Sequence, residues 1–246
     1  MQRMTEVKER VSPPPDRDPA RWYSPMEGET VPTAGGASPL MVPIRSLGAN
    51  HRARIARHLL ALEPHDRYLR FGFSANDAQI QRYADSLDFE RDEIFGIYNR
   101  RLDLIAMAHL AFCADSKPSD CAEFGVSVLK SARGRGYGGR LFDRAAMHAR
   151  NAGIGRMFIH ALSENTTMLR IASKAGATVE RDGSESEAHL LLLPATFDSR
   201  LTELLAEQLA LTDYRIKVQV KQFRDALGGM MAHRSAVSDA QRSSRK

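Results

Sequence analysis

From residue 49 onward the chain repeats apolar residues at helical spacing, with Ile55, Leu59, Leu60 and Leu62 on one side of a helix predicted over 49–62. Upstream that pattern is absent. Residues 1–38 hold Pro13-Pro14-Pro15, Gly35-Gly36 and scattered charge with no sustained apolar period, which reads as a disordered leader. Residues 40–44 read as a first strand whose Pro43 suits a sheet edge. A second helix fits 76–87. Two β-rich runs, 93–98 and 102–112, are separated by Asn99-Arg100-Arg101 and predict a hairpin, and 121–129 follows as a third strand.

The helix predicted over 136–151 places Tyr137, Leu141, Phe142, Ala145, Ala146 and Ala149 on one stripe, with Arg140, Asp143, Arg144 and Arg150 opposite. After Gly153 and Gly155 come a strand over 156–162, a helix over 165–175 closed by Gly176, and closing strands over 177–180 and 188–193. An antiparallel meander feeding one β-loop-α-β unit implies an α/β fold with a mixed, mostly antiparallel central sheet flanked by helices. Beyond Pro194, Thr196 can cap a long helix carrying Leu201, Leu204, Leu205, Leu209 and Leu211 on one broad stripe, before a basic tail that frays. The spread of these leucines favours packing back onto their own domain. A homodimer through the same helix is the alternative. Three regions result: a leader over 1–38, a domain over 39–194, and a helix with basic tail over 195–246.

At 246 residues, 43% hydrophobic and 26% charged, the chain has material for one sizeable core, which excludes collagen, coiled-coil rods and wholesale disorder. No apolar run reaches the ~18 residues of a membrane span, and the N-terminus lacks the apolar centre of a secretory signal. A cytoplasmic protein without membrane partners is expected. The net charge of +5 suggests an acidic partner until it is located. Between Arg215 and Lys246 eight Lys or Arg residues face two Asp, a surplus of +6 that leaves the rest of the chain at −1. Basicity is a property of the tail, so nucleic acid is not expected as a partner. Cys113 and Cys121 are expected to be reduced, a cross-hairpin disulfide being the lesser alternative, and no metal is expected because no Cys/His cluster has ligand spacing.

Chemistry concentrates at Arg133-Gly134-Arg135-Gly136-Tyr137-Gly138-Gly139. Glycines let consecutive backbone N–H groups approach a ligand, and the helix that starts here adds its unpaired amides and positive dipole end. Two arginines add phosphate donors, favouring a polyphosphate. Gly134-x-Gly136-x-x-Gly139 formally fits a dinucleotide fingerprint, with Glu164 where an acidic ribose ligand would stand. However, Lys130 to Arg133 separate strand from glycines, a hairpin precedes the loop, and no Lys-Ser/Thr follows as a Walker A loop requires.

With Arg133-x-x-Gly136-x-Gly138 after the strand Val126-Ser127-Val128, and Asn165, Met168, Leu169, Ile171, Lys174 and Gly176 downstream, the sequence resembles the GNAT superfamily of acetyl-CoA-dependent N-acetyltransferases over roughly 40–194. Asp66-Arg67-Tyr68-Leu69-Arg70-Phe71 is also similar to a segment of bacterial members that include protein lysine acetyltransferases. The resemblance implies a GNAT-like fold and acetyl transfer to a primary amine, either a small molecule or a protein lysine, by direct attack in a ternary complex. It further implies that Val126, Ser127 and Val128 hold the pantetheine arm and polarise the thioester. Gly134, Arg135, Gly136, Tyr137, Gly138 and Gly139, with Arg133, would hold the pyrophosphate of acetyl-CoA, and Asn165 would bond near its reactive arm.

Glu123 is the expected general base, by likeness to the lysine-acetylating branch. Strand alternation puts it on the opposite face from Val126 and Val128 unless the strand bulges as in the family. The tyrosine that many relatives use as general acid is replaced by Ala172, and the usual terminal Phe by Ala177. Tyr137, Ser163 or His160 could substitute, although His160, inside a strand, reads first as a core histidine. His109, Tyr98 and Arg100 could reach substrate. The missing acid leaves a second reading open, a catalytically weak or inactive acyl-CoA-binding sensor.

Overall fold

The computed structural model describes residues 42–113 and 121–243. The expected leader, the tip of the hairpin between the two cysteines and the last three residues lie outside that range. Seven strands, β1 (Arg45–Ser46), β2 (Glu93–Tyr98), β3 (Leu104–Phe112), β4 (Cys121–Val128), β5 (Arg156–Leu162), β6 (Thr178–Asp182) and β7 (Glu185–Leu191), stand in the order β1-β2-β3-β4-β5-β7-β6. All neighbours are antiparallel except β4 and β5. That one parallel contact follows from the helical crossover between them, since parallel neighbours cannot be joined by a tight turn.

Helices α1 (Arg52–Leu60), α2 (Pro64–Phe71) and α3 (Asp77–Ser86) accompany one core, in which Ile55, Leu59 and Ile80 meet Ile94 and Met107 of the sheet. Helices α4 (Tyr137–Asn151) and α5 (Thr166–Lys174) lie over the other, where Leu141, Phe142 and Met168 pack on Phe95, Leu110, Phe124 and Met157. The helices read over 76–87 and 136–151 both appear, the second with its predicted apolar stripe inward. Asn76 and Gln79 close α3 with a reciprocal capping box, each bond at 2.9 Å.

Several expectations are corrected. The strand expected over 40–44 is not seen over 42–44: β1 begins at Arg45, and Val42 and Ile44 pack on the core without strand pairing. α2 is a helix that the sequence pattern did not predict. It is marked instead by Pro64 in its first turn and by Gly72 at its end, where φ is +77°. β6 and β7 form one hairpin about Gly183, longer toward the turn than the predicted strands because Arg181, Asp182, Glu185 and Glu187 obscure the pattern. Cys113 and Cys121 are joined by a disulfide across the end of the β3–β4 hairpin, contrary to the expected free thiols.

The C-terminal helix α6 (Phe197–Ser243) does not fray before the tail, and it docks by its polar side rather than its leucines. Leu201, Leu204, Leu205 and Leu209 are exposed, whereas Glu203 sits among Arg144 (2.7 Å), His148 (2.6 Å) and Asn151 (2.6 Å) of α4. Helical spacing had put Arg144 on the solvent face, yet it is buried beneath α6 and lies 5.0 Å from the Phe95 ring. Farther along, the Tyr214 hydroxyl accepts from Arg54 at 2.6 Å, and its ring meets Tyr98 edge-on. Tyr98, a possible substrate contact by sequence, is therefore a packing residue. The hairpin tip carrying Arg100 is exposed.

Beneath β4, the buried imidazole of His58 joins the Leu104 carbonyl (2.9 Å) to Ser127 Oγ (2.8 Å), linking α1 to the strand. Burial, more than the nearby Arg70 charge, lowers its pKa to about 4, so it is neutral in the folded protein.

Two predictions follow from these buried groups. The unfolded chain, whose histidine keeps its ordinary affinity near pH 6.5, binds the His58 proton more readily than the folded one. Stability from urea unfolding is therefore expected to be full above pH 6.5 and to fall by about 3 kcal/mol toward pH 4; His58→Gln flattens that limb. Glu203 has the opposite sign: burial would raise its pKa, but His148, Asn151 and Arg144 hold it at about 2. Its contribution is complete above the usual carboxylate range and disappears as pH falls toward 2. Glu203→Ala should cost about 3 kcal/mol at neutral pH, read as a lowered thermal midpoint.

Candidate functional site

β4 and β5 pair over only three positions, Cys121↔Arg156, Ala122↔Met157 and Glu123↔Phe158. Past Glu123 the strands part. β4 continues along β3 as far as Val128, while β5 continues along β7 as far as Leu162. The side of β4 turned toward β5 therefore presents backbone groups without a strand partner, which need water or a ligand to satisfy them. The β3–β4 register runs without interruption from Ala106↔Val128 to Phe112↔Ala122, so the bulge allowed for in this strand is absent. Glu123 accordingly stays on the α2–α3 face, whereas Val126 and Val128 pack against the core under α4. The Ser127 side chain is turned inward to His58, leaving its backbone to face any ligand.

β4 leads through a short turn at Lys130–Ala132 into the glycine loop. Gly134 and Gly136 have φ of +74° and +72°, a left-handed conformation that side chains oppose. Gly136 is the N-cap of α4, so the first amides of that helix are aimed at the loop. A Cβ built at Gly134, Gly136 or Gly139 meets no atom within 4 Å, and one at Gly138 would come 3.3 Å from Ile171 of α5. The mouth of the helix is thus open, and Gly138 lets α5 approach. Tyr137 is half-buried against the core and contributes its backbone here.

The two loop arginines part company. Arg133 is paired with Asp66 of α2 and donates to the Val128 carbonyl at 3.3 Å, so its guanidinium braces the loop from behind. Lys130 adds a second brace to α2 through Glu63 at 2.9 Å. Arg135 is exposed and has no ion pair among the described residues. Only the latter can turn freely to a phosphate. Asp66 stood out only within the segment of family resemblance and Glu63 not at all, because salt bridges between segments leave no local pattern.

Where β4 and β5 diverge, a cavity of about 660 Å³ opens, bounded by the end of α2, both strands, α5 and the β6–β7 hairpin. Glu123, Asn165 and His160 reach it. Asn165 caps α5 by accepting from the Met168 amide at 3.2 Å, which leaves its amide nitrogen for a ligand. His160, expected in the core, is exposed and stands 3.9 Å from Glu187. Ser163 donates within the β6–β7 turn and does not face the cavity. Ala172 is buried in α5.

A polar chain that no sequence spacing joins runs back from the cavity wall. Arg70, at the end of α2, lies against Gly125 so closely that an added Cβ would stand 2.7 Å from its Cζ. It donates to Tyr83 Oη (2.8 Å), Tyr83 stands 2.8 Å from His109 Nδ1, and His109 Nε2 stands 3.0 Å from the buried Asp92. Burial first, and then the Arg70 charge, lower the His109 pKa. A neutral His109 that donates to Asp92 must accept from Tyr83, which in turn accepts from Arg70. From sequence, His109 stood out as a possible substrate contact and Arg70 only within the segment of family resemblance, and nothing joined the two. Among the described residues no group of three or more His, Cys, Asp or Glu is placed to hold a metal, and no helix is long and apolar enough to cross a membrane.

Comparison with known proteins bears on this arrangement. A model of the Acetyltransferase (GNAT) family matches residues 58–177. The GNAT domain of S. lividans PAT superposes with a TM-score of 0.53 at 21% identity, covering 61% of this chain and 89% of that one. A putative acetyltransferase from Acinetobacter baylyi ADP1 gives 0.51 at 15% identity, covering 61% and 92%. No curated protein matches by sequence. At these identities the solved structures establish the fold, and the family match covers the loop, both diverging strands and α5. Over residues 58–177 the chain thus matches the GNAT family, in a fold that the solved structures share.

Proposed function

We propose that this chain is an acetyl-CoA-dependent N-acetyltransferase that passes the acetyl group directly to a primary amine, of a small molecule or a protein lysine, in a ternary complex. The observation that carries this reading is the cleft between β4 and β5, which has an open helix N-terminus at one end and Glu123 at the point of closure. The loop fits a diphosphate: the space over Gly134, Gly136 and Gly139 is empty, backbone amides converge there, and Arg135 stands beside it. Acetyl-CoA would supply a thioester whose carbonyl carbon forms the new C–N bond as the C–S bond breaks and a thiolate departs.

The residues divide the remaining work. Backbone groups of Val126, Ser127 and Val128 take the pantetheine amides and hold the thioester carbonyl, and the amide of Asn165 bonds the same arm. Glu123 accepts the proton from the incoming ammonium, so that the nitrogen attacks with a free electron pair. With Ala172 unable to protonate the thiolate, His160 is the one substitute among Tyr137, Ser163 and His160 that lines the cavity. Arg133 acts through the loop it braces.

Glu123→Gln should lower kcat by ~10²–10³-fold in a thiol-release assay while leaving acetyl-CoA affinity by calorimetry unchanged. Normal turnover would remove Glu123 from the mechanism, and failure of the wild type to bind acetyl-CoA would end the proposal. Arg135→Gln should raise the KM for acetyl-CoA several-fold without affecting stability. Arg133→Gln should instead lower the thermal midpoint, because it strands the carboxylate of Asp66.

A further inference from the structure

We propose that Arg70 anchors a carboxylate of the acceptor, and that the amine acetylated in this cavity therefore belongs to an amino-acid-like zwitterion. The inference rests on the acetyltransferase reading above and names the substrate class of that site. Arg70 lines the cavity, half-buried, and gives one of its N–H donors to Tyr83. A guanidinium has five such donors, and among the described residues no carboxylate pairs with this one. The vacancy is notable because the same cavity contains Glu123, Glu180, Asp182, Glu185 and Glu187.

The guanidinium is fixed in place. Gly125 surrenders the volume of a side chain so that it can lie on the strand, and the chain Tyr83–His109–Asp92 holds it from behind. All the hydrogens in that chain point one way, from Arg70 toward the buried carboxylate of Asp92. Tyr83 therefore presents only its oxygen to Arg70, and the remaining guanidinium donors are left for an incoming oxyanion, in the planar fork that matches a carboxylate. An arginine held so firmly, yet with no counterion among the described residues, is suited to recognition more than to packing.

Position sets the spacing. Glu123 and Gly125 are alternate residues on one strand face, ~6.6 Å apart along the backbone. A molecule whose ammonium meets Glu123 while its carboxylate meets the guanidinium over Gly125 needs the two groups only a few bonds apart. Strand pairing puts Glu180, Asp182, Glu185 and Glu187 on one face of the β6–β7 hairpin, continuous through His160 with that of Glu123. These carboxylates draw the ammonium end toward the base, and Arg70 receives the opposite end. A polyamine would leave Arg70 facing cations.

The test compares each protein amino acid with the amine that remains when its carboxylate is removed, alongside spermidine and a lysine-containing peptide amide. Binding is measured by calorimetry on the full chain saturated with CoA, and turnover by thiol release with acetyl-CoA. The wild type should bind and acetylate at least one amino acid with kcat/KM about 100-fold above that of its matched amine. Arg70→Gln should erase that preference through KM, leaving acetyl-CoA affinity and the thermal midpoint unchanged. Tyr83→Phe, a positioning variant, should raise the amino-acid KM several-fold at unaltered kcat.

Equal losses for amino acid and matched amine in Arg70→Gln would overturn the proposal. So would a wild type that binds none of the amino acids, or that turns over spermidine or the peptide at least as well. Failure to bind acetyl-CoA is a separate result, which strikes the acetyltransferase reading itself.

Discussion

The early parting of two parallel strands is the constraint on which the rest of this molecule depends. β4 and β5 share three positions and then separate, each keeping its other neighbour, so the sheet is held whole while its middle stands open. Hydrogen bonding within a sheet ordinarily resists such a gap because unpaired backbone is costly when buried. Here the gap reaches the protein surface, and every feature of chemical interest lies along it. The glycine loop and the mouth of α4 are at one end, Glu123 marks the point of divergence, and the cavity widens beyond it.

The supporting shell is built from one side. α2, only eight residues long, touches the site at each end: Glu63 and Asp66 brace the loop through Lys130 and Arg133, and Arg70 covers the strand at Gly125. A short helix can do this because its position is set by these ionic ties as well as by apolar packing. The same economy explains the different fates of two arginines separated by a single residue. Arg133 completes the scaffold, and Arg135 stays in solvent.

Much of the site was legible in the sequence for physical reasons. Left-handed turns require glycine, so Gly134 and Gly136 stood out, and the amphipathic stripe of α4 followed directly. The order of strands and helices was readable because apolar period changes with element type. What escaped detection was polar and long-range. Arg144 and Glu203 meet across two helices, and their charges made each look like a solvent residue until the other was in place. The α6 leucines drew attention to the wrong face for the same reason. Arg70, Tyr83, His109 and Asp92 come from three elements and one loop, and no spacing rule joins them. His160 was assigned inward because strand periodicity cannot tell which side of a sheet is covered.

Gly125 shows how narrow the margin is between one chemistry and another. The guanidinium of Arg70 occupies the room that even a methyl group at this position would claim. A single base change in a glycine codon yields alanine and would evict the arginine without disturbing the ladder around it. Under the role proposed for Arg70, descendants of this gene lie one mutational step from a different preference among acceptors.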